Sequence, residues 1–445
     1  MSQYQPYPAY KASGVEWLGR VPEHWIVGRL RHSTDGALSY GANEAAESDD
    51  PRHPRFIRIT DLNEDGTLRD DTFKSLPPDV ARPYLLRDGD VLLARSGATV
   101  GKSFIYRIGM GDACYAGYLI RVRLLKSKFL SKLFWYCTQS SYYWDFIGGS
   151  SIQATIQNVS GEKYANLWLA IPPLTEQWGI VSKLDRETAR IDALIEKKSR
   201  FIELLREKRQ ALITQAVTKG LDPSVKMKDS GVEWLGEVPE HWSFGRLAYA
   251  CELIVDGTHH SPESYPEGAF KYITAKNIKE HGFDFTELTY LSADQHQEIY
   301  SRCSVKAGDV LYIKDGATAG VAMVNYLDEE FSLLSSVAVI RPKKKRLLSE
   351  YLAYLLNSGG FKTSVLSRLV GGAITRFTLE MIGNFSVSLP SIEEQRQVVA
   401  HLEGIVPRLD VLKGKTERSI ELLKERRSAL ITAAVTGQID LREAV

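Results

Sequence analysis

Two hydrophobic patterns alternate along the chain, and each predicts a different kind of structure. Two regions of roughly 160 residues consist of short β-branched and aromatic runs separated by Gly, Pro, Asn and Asp, which predicts short strands with a few helices. Residues 176–217 and 394–435 instead carry apolar residues at steps of three, four and seven, which predicts long amphipathic helices. The pattern therefore indicates two strand-rich regions, each followed by a long helix.

Each predicted long helix has one apolar stripe. In the first helix the stripe is Leu184, Ile191, Ile195, Ile202, Leu205, Leu212 and Ala216. In the second helix it is Val399, Leu402, Val406, Leu409, Leu412, Ile420, Leu423, Leu430 and Ala434. Two helices with one stripe each are expected to pack together as an antiparallel coiled coil. Pro407 lies inside the second stretch and is expected to kink that helix or to restart it.

The clearest strand element is a hairpin that occurs twice. Residues 90–95 and 102–107 flank a Gly-rich loop, and residues 309–314 and 321–326 flank a second one. The first loop reads GATVGKS, which has three residues between its glycines where a phosphate-binding Walker loop needs four. Such a loop also precedes a helix, whereas this one joins two predicted strands. Nucleotide binding is therefore not expected here.

The hairpins belong to an internal repeat. Residues 11–30, KASGVEWLGRVPEHWIVGRL, and residues 228–247, KDSGVEWLGEVPEHWSFGRL, agree at 16 of 20 positions. Later matches follow in the same order, but the stretches between them differ in length, as surface loops do. The sequence thus predicts one framework with two different sets of loops. The framework residues shared by both copies include Trp17, Pro22, His24 and Trp25, matched by Trp234, Pro239, His241 and Trp242.

Composition narrows the class of protein. The 445 residues are 44% hydrophobic and 25% charged, which excludes collagen-like and disordered chains. The four cysteines are far apart and form no CxxC pair, so neither a disulfide scaffold nor a zinc motif is expected. No apolar run approaches the ~20 residues of a membrane span, and the first residues do not resemble a secretory signal. A cytoplasmic protein without a membrane role is expected, and its net charge of +1 is low for a nucleic-acid coat.

Several motifs together resemble one family, the specificity (S) subunits of Type I restriction-modification systems. They are the repeated GVEWLGxVPEHW block, the GDVL hairpin, the PPLTEQ and LPSIEEQ junctions, and the helix ends ALITQAVT and ALITAAVT. The resemblance covers nearly the whole chain. It implies an α/β (α+β) fold with two tandem target-recognition domains, residues 1–175 and 223–393. It also implies a central helical spacer, residues 176–222, and a C-terminal one, residues 394–445.

The same resemblance implies a function and a set of partners. Each domain would read one half of a bipartite, asymmetric target in double-stranded DNA, while the helices set the gap and dock adenine methyltransferase (M) subunits. Two M subunits and the restriction/translocase (R) subunits are the implied protein partners. No cofactor is expected on this chain, because S-adenosylmethionine, ATP and Mg are implied for the partner subunits.

The residues themselves also argue against catalysis. The adenine-methylase motif (N/D)PP(Y/F) is missing, since the sequence around the first junction is Ile171-Pro172-Pro173-Leu174. No cofactor-binding GxGxxG precedes a predicted helix, and no nuclease or helicase cluster is found. Two alternatives remain open, a non-catalytic coiled-coil scaffold without DNA specificity and a complete DNA-modifying enzyme.

The candidate DNA contacts lie in loops that differ between the copies. They occupy the hairpin tips, the turns at 39–43 and 256–262, and the Gly-rich segments before the two junctions. Gln can bind adenine and Arg can bind guanine through two hydrogen bonds, whereas tight turns and glycine hinges are the purely structural alternative. The candidates are Tyr40, Asn43, Arg95, Ser96, Thr99, Lys102, Gln153, Thr155, Thr258, His259, His260, Lys314, Asp315, Thr318, Thr375 and Arg376. No metal site is expected, because the adjacent histidines point in different directions on most backbones.

Overall fold

Short strands and two long helices make up the part of the chain that the computed structural model describes, residues 4–63, 67–149, 158–367 and 376–442. The chain divides into two compact units. Unit 1 comprises residues 1–199 with 418–445, and unit 2 comprises residues 200–417. Each unit therefore contains one strand-rich region and a part of both long helices. The predicted α/β (α+β) class is confirmed, whereas the four-segment division of the chain stays a prediction.

The elements of unit 1 follow the chain from its N-terminal side. Its strands are β1 (Tyr10–Ala12), β2 (Arg20–Pro22), β3 (Ile26–Arg29), β4 (Ser39–Tyr40), β5 (Arg55–Ile57), β6 (Val91–Ala94), β7 (Ser103–Ile105), β8 (Ala113–Tyr115), β9 (Leu119–Val122) and β10 (Trp168–Ile171). Its helices are α1 (Pro78–Ala81), α2 (Ser131–Cys137), α3 (Ser141–Gly149), α4 (Gly161–Ala165) and the first part of α5 (Leu174–Lys219). Short 3₁₀ helices span Leu30–His32, Ile59–Asp61, Asp70–Thr72, Arg82–Tyr84, Gly97–Thr99 and Ile108–Met110.

The central sheet of unit 1 is antiparallel and has the order β4-β9-β6-β7. Strand β6 is buried along its whole length because its two faces enter different apolar clusters. Val91 and Leu93 pack with the helices, whereas Leu92 and Ala94 pack against the segment around β8. This double burial explains why the GDVL motif continues as an unbroken apolar run instead of an alternating one. The predicted hairpin is confirmed as β6 and β7.

Unit 2 repeats this order of elements. Its strands are β11 (Met227–Asp229), β12 (Glu237–Pro239), β13 (Ser243–Arg246), β14 (Cys251–Asp256), β15 (Phe270–Ile273), β16 (Ile278–Lys279), β17 (Gly282–Phe283), β18 (Thr289–Leu291), β19 (Val310–Ile313), β20 (Ala322–Val324), β21 (Phe331–Leu333), β22 (Val337–Pro342) and β23 (Ser386–Leu389). Its helices are α6 (Leu247–Ala250), α7 (Ala293–Arg302), α8 (Ser349–Asn357), α9 (Gly359–Ser367), α10 (Leu379–Gly383) and the first part of α11 (Ile392–Val435), with a 3₁₀ helix at Ala275–Asn277.

The sheet of unit 2 has the order β14-β22-β19-β20, which matches the sheet of unit 1 strand for strand. In both units a parallel pair lies beside it, β5 with β8 and β15 with β21. The second predicted hairpin is confirmed as β19 and β20. Strand β19 again buries alternate residues in two clusters, Tyr312 in one and Leu311 in the other. The repeat in the sequence is therefore a repeat of the fold.

Helices α5 and α11 confirm the predicted long helices, and they pack together in an antiparallel manner within each unit. In unit 1, Arg427 Nε lies 2.9 Å from Asp192 Oδ1. In unit 2, Arg209 Nε lies 3.2 Å from Asp410 Oδ1. A second ion pair in unit 2 joins Arg206 to Glu417, 3.8 Å apart. From Arg206 to Arg209 helix α5 advances, while from Glu417 to Asp410 helix α11 goes back, as an antiparallel pair requires.

One expectation about α11 is resolved in part and another needs correction. Helix α11 runs through Pro407 to Val435 without restarting, so a kink at this proline is the alternative that stays a prediction. Leu412 was placed in the apolar stripe, but it is 41% exposed. Two successive steps of three residues from Val406 rotate a helix position by about 120° away from the starting direction, because each turn has 3.6 residues. Leu412 therefore leaves the buried side that Val406 occupies.

A glutamate near the start of each long helix, buried in unit 1 and partly exposed in unit 2, joins the helix to the repeated WLGxVPEHW block. In unit 1, Trp25 Nε1 donates to Glu176 Oε1 over 2.9 Å, and the Tyr7 hydroxyl donates to the same oxygen. In unit 2, Trp242 Nε1 donates to Glu394 Oε1 over 3.1 Å. The next residues, Gln177 and Gln395, bind the chain before α2 and α8 in matching ways. These glutamines accept from the backbone N–H groups of Leu130 and Leu348, each over 2.8 Å.

A buried aspartate at the start of each hairpin is a second shared anchor. Asp90 accepts two hydrogen bonds from the Arg123 guanidinium, at 2.8 and 2.6 Å. Asp309 accepts two from Arg341, at 2.7 and 2.8 Å. The shared tryptophans Trp25 and Trp242 are buried as expected of framework residues, whereas Trp17 is 43% exposed. None of the described helices is both long and apolar enough to cross a bilayer.

Candidate nucleic-acid interface

Most of the described residues predicted as DNA contacts gather at one corner of the central sheet in each unit. In unit 1 this corner is formed where β4 and β6 end. The backbone N–H of Arg95 donates to the Tyr118 carbonyl over 3.0 Å, and the Arg95 carbonyl accepts from Val159 over 2.8 Å. In unit 2, Lys314 makes the same two bonds with Ser336 and Phe377, at 2.9 and 2.8 Å. The backbone frame of the corner is therefore the same in both units.

Close packing of the backbone requires glycine where each corner begins. A Cβ atom at Gly41 would lie 2.1 Å from the Tyr115 carbonyl oxygen, and one at Gly257 would lie 2.0 Å from that of Leu333. These glycines let the next residue, Ala42 or Thr258, donate its N–H to that same carbonyl over 2.8 Å. The loops that follow consequently leave the two sheets from equivalent points.

In unit 1 the corner is built from an aromatic ring and a guanidinium. The Arg95 guanidinium carbon lies 4.8 Å from the centre of the Tyr40 ring, a cation–π contact. The Tyr40 hydroxyl accepts the N–H of Gly161, at the start of α4, over 2.8 Å. Tyr40 is still 42% exposed, so one side of this pair faces solvent.

In unit 2 the same positions carry an ion pair. Asp256 ends β14 where Tyr40 ends β4, and Lys314 follows β19 where Arg95 follows β6. The Lys314 ammonium lies 3.5 Å from Asp256 Oδ2 and 3.2 Å from Asp315 Oδ2. Lys314 is only 2% exposed, because two carboxylates hold its charge inside the protein. Its predicted role in contacting DNA stays a prediction, but the ammonium is not on the surface.

The polar turn after β14 surrounds this ion pair. The His259 ring lies 3.1 Å from Asp256 Oδ1 and is half exposed. The Thr258 hydroxyl lies 3.0 Å from Nδ1 of the exposed His260, and Thr258 is itself 4% exposed. The structure therefore brings all three predicted residues of this turn to the corner but leaves only the histidines accessible. In unit 1 the matching exposed residue is Asn43.

The two hairpin tips lie at the same corner as these side chains. Gly97 and Gly316, with φ of 77° and 90°, open the two tips, which include the exposed Thr318 and the partly buried Ser96, Thr99 and Asp315. Arg376 pairs with the second tip, since its Nε lies 3.3 Å from Asp315 Oδ1 and its side chain is 57% exposed. Predicted residues from three separate segments thus meet in unit 2.

Four predicted residues stand apart. Lys102 lines a groove of about 660 Å³ that it shares with Trp144, Asp192 and Arg427, on the side of unit 1 that faces the helices. Gln153, Thr155 and Thr375 lie outside the described residues, so their predicted roles remain sequence-based.

Two residues of the corner escaped the sequence reasoning. Tyr118 is 64% exposed in the loop between β8 and β9 that binds Arg95. Arg302, at the end of α7, reaches within 3.8 Å of Asp256 Oδ1. No local sequence motif marks either residue, because each reaches the corner through contacts that are distant in sequence. For Tyr118 the available signal is its alignment with Ser336 in the internal repeat, which shows an aromatic residue in one copy and a serine in the other.

The described residues contain no cluster of three or more His, Cys, Asp or Glu side chains arranged to hold a metal ion. Cys114, Cys137, Cys251 and Cys303 are buried free thiols, and burial raises the pKa of each to about 12. These thiols are therefore protonated at neutral pH and act as small apolar groups. The corners themselves offer hydrogen-bonding and charged groups.

Known proteins similar to this chain are specificity subunits of Type I restriction enzymes. Residues 239–422 match the family model described as the Type I restriction modification DNA specificity domain. The MjaVIII specificity subunit of Methanocaldococcus jannaschii is 22% identical over 429 residues, which cover 95% of this chain and 95% of that protein. The EcoKI specificity subunit of Escherichia coli K12 is 21% identical over 95% of this chain and 90% of that protein. Residues 239–422 thus match the Type I DNA specificity domain, and the whole chain is similar to Type I specificity subunits.

Solved structures of specificity subunits share the fold. A chain from a structural study of complex assembly and conformational transition of the type I R-M system aligns with a TM-score of 0.72. The alignment covers 94% of this chain and 99% of that chain at 18% identity. The HsdS subunit from Thermoanaerobacter tengcongensis aligns over 94% and 98% with a TM-score of 0.51 at 18% identity. These alignments show a shared fold, while the family match and the sequence relatives support a DNA-recognition, non-catalytic role for this chain.

Proposed function

We propose that each unit of this specificity subunit reads one half of a bipartite, asymmetric target in double-stranded DNA. The observation that carries the proposal is one backbone frame with two sets of side chains. The corner holds Tyr40 and Arg95 in unit 1 but Asp256 and Lys314 in unit 2, on matching hydrogen bonds. A target with two unlike halves requires two unlike surfaces, whereas a palindrome is read by two identical ones.

The accessible side chains are proposed to make the contacts, and the buried ones to support them. In unit 2, Arg376 is proposed to read guanine and Asp315 to accept from a base amine, the pairings that these groups favour. His259, His260 and Thr318 supply further hydrogen-bonding groups, while Lys314 and Thr258 hold the corner together. In unit 1 the proposed contacts are Tyr40, Asn43, Arg95, Ser96 and Thr99, with Lys102, Gln153 and Thr155, and in unit 2 Thr375 joins the set.

The long helices are proposed to set the gap between the half-sites and to dock the methyltransferase subunits. Their register is supported by the ion pairs of Arg427 with Asp192 and of Arg209 with Asp410. The start of each helix carries a matching anchor, Glu176 with Trp25 and Glu394 with Trp242. Two equivalent anchors favour two adenine methyltransferase subunits, one for each unit.

The partner subunits are proposed to supply the catalytic activities and to bind the cofactors. Restriction/translocase subunits complete the complex in the cytoplasm, and the partner subunits bind S-adenosylmethionine, ATP and Mg. A net charge of +1 also suits a subunit whose DNA affinity depends on its partners, since phosphate contacts dominate that affinity.

The test exchanges the paired side chains. The chain is co-expressed with its methyltransferase subunits, and methylated adenines are mapped across the host genome. The native complex is expected to give two short blocks around a fixed gap. A Tyr40→Asp/Arg95→Lys variant is expected to alter or abolish recognition of one block only, and Asp256→Tyr/Lys314→Arg to affect only the other.

Other outcomes would contradict the proposal. If either double variant changed both blocks, the units would not read separately. A continuous or palindromic native motif would mean that the two units do not read different halves. An assembled, active complex without any sequence preference would favour a scaffold role.

A further inference from the structure

One exposed aromatic side chain distinguishes the corner of unit 1 from that of unit 2. Tyr118 is 64% exposed, and its hydroxyl has no hydrogen-bond partner among the described residues. A single exposed aromatic residue is ordinary on a protein surface. Tyr118 differs from other exposed aromatic residues because its loop is bound to the corner that carries the proposed DNA contacts.

The loop of Tyr118 is fixed to the corner by its backbone. The Tyr118 carbonyl accepts from Arg95 over 3.0 Å, the N–H of Gly117 donates to Ala42 over 2.7 Å, and the N–H of Leu119 donates to Ala116 over 2.9 Å. A Cβ atom at Gly117 would lie 2.0 Å from Asn43 Oδ1, so the Asn43 side chain packs on this loop. The tyrosine is therefore held by several backbone hydrogen bonds beside two of the proposed DNA contacts, Arg95 and Asn43.

Unit 2 has a small polar residue in the matching place. Ser336 accepts from Lys314 through its carbonyl over 2.9 Å, as Tyr118 does from Arg95, and its side chain is partly buried. The backbone is thus the same while the accessible ring is present in one unit only. An aromatic ring held at a nucleic-acid surface stacks on a base or enters a base step, and stacking is tolerant of base identity.

We propose that Tyr118 stacks on a base of the half-site read by unit 1, and that unit 2 makes no such contact at Ser336. This inference rests on the proposed function. It implies that the two half-sites are deformed differently, since unstacking occurs in only one of them.

The test measures DNA binding by the complex assembled with its methyltransferase subunits. Tyr118→Ser, which installs the residue of unit 2, is expected to weaken binding to the target duplex about tenfold. Tyr118→Phe keeps the ring and is expected to stay within about twofold of the native complex. Tyr249→Ser removes another exposed tyrosine, 66% accessible on α6, and serves as the matched control with no expected change.

A fluorescent base analogue reports where the ring acts. Duplexes carry 2-aminopurine in one half-site or the other, and the native complex is expected to unstack it in one half-site only. Tyr118→Ser is expected to remove that signal. Unchanged binding and fluorescence in Tyr118→Ser, or an equal loss in Tyr118→Phe, would overturn the stacking inference alone. If the native complex did not prefer its target over a scrambled duplex, the proposed function would fail as well.

Discussion

The corners of units 1 and 2 share a backbone but are stabilised by different physical interactions. In unit 1 an arginine lies over a half-exposed tyrosine ring, and one side of the pair remains open to solvent. In unit 2 a lysine is buried between two carboxylates, and the neighbouring histidines carry the accessible groups. Between the units, Tyr40 is replaced by Asp256 and Arg95 by Lys314. The two replacements belong together, because a lysine that is only 2% exposed needs a carboxylate beside it.

The two units differ in sequence at the corners and agree at the anchors. The anchors that build the sheet and helix starts are chemically identical in the two units, whereas the residues at the corner differ in charge and shape. Framework and reading surface are separated by only a few residues, since Asp90 and Arg95 lie at opposite ends of strand β6. Variants of the shared anchors are therefore expected to have larger effects than variants of the corner residues.

Removing the buried aspartate of either hairpin is expected to have the largest effect. Asp90→Ala leaves the Arg123 guanidinium without its partner, and Asp309→Ala does the same to Arg341. Both aspartates are 1% exposed, and breaking a buried ion pair from one side costs about 3–5 kcal/mol. We expect each variant to lower the free energy of unfolding by a similar amount, measured by denaturant titration.

Asp88→Ala is the control for this pair of variants. Asp88 lies two residues from Asp90, but its side chain is 44% exposed and 4.0 Å from Arg107. Its removal is expected to change stability by less than about 1 kcal/mol. A large loss in one unit with almost none in the other would show that the two frameworks are not equivalent.

Much of the framework could be predicted from the sequence because its signals are local. The hairpins follow from apolar runs around Gly-rich loops, and the helices follow from their stripes. The helix ends are predicted less accurately than the helices themselves. The apolar pattern places the start of α5 at Glu176, whereas the helix begins at Leu174, directly after Pro173. Leu412 was misassigned because a step of three was treated as equivalent to a step of four.

The candidate corner could be predicted only in part. Tyr40, Arg95 and the hairpin tips were each singled out by a local motif, but their meeting depends on strand pairing far along the chain. The burial of Lys314 depends on Asp256, which is 58 residues earlier (314 − 256), and no local pattern links the two. Tyr118 was missed for the same reason.

Removing the cation at each corner is expected to have a smaller and unequal effect. Lys314→Met removes the ammonium that lies near the carboxylates of both Asp256 and Asp315. The free energy of unfolding is expected to fall by about 2–3 kcal/mol. Arg95→Met removes a cation–π contact at a partly exposed ring, for a loss of about 0.5–1 kcal/mol. Denaturant titrations of both variants measure the difference.

A double variant identifies the cause of the larger loss. Asp256→Asn in the Lys314→Met background removes one of the two carboxylate charges that have lost the buried ammonium, and is expected to recover part of the stability, which a double-mutant cycle measures. If Arg95→Met were as costly as Lys314→Met, or if the second change recovered nothing, the buried ion pair would not explain the difference between the corners.

The last expected effect, which depends on pH, concerns the second polar partner of each helix arginine. Arg427 of unit 1 donates to the Gln139 amide oxygen over 2.9 Å, whereas Arg209 of unit 2 lies 3.0 Å from the Glu280 carboxylate. Burial raises the pKa of Glu280, but the Lys362 ammonium and the Arg209 guanidinium together lower it below its ordinary value. Its stabilising effect is therefore present above the ordinary carboxyl pKa and is lost as the pH falls through the lowered value. Gln139 has no proton to gain.

We expect Glu280→Gln to destabilise unit 2 by roughly 1 kcal/mol at neutral pH, because a partly buried ion pair is lost. The difference from the native protein is expected to shrink towards zero as the pH falls below the ordinary carboxyl value of 4.5. Gln139→Glu is the reciprocal change and is expected to give unit 1 an acid-sensitive contribution that it lacks. Urea unfolding midpoints across this pH range measure both variants. An unchanged difference between native and Glu280→Gln protein in acid would mean that the carboxylate charge does not distinguish the two units.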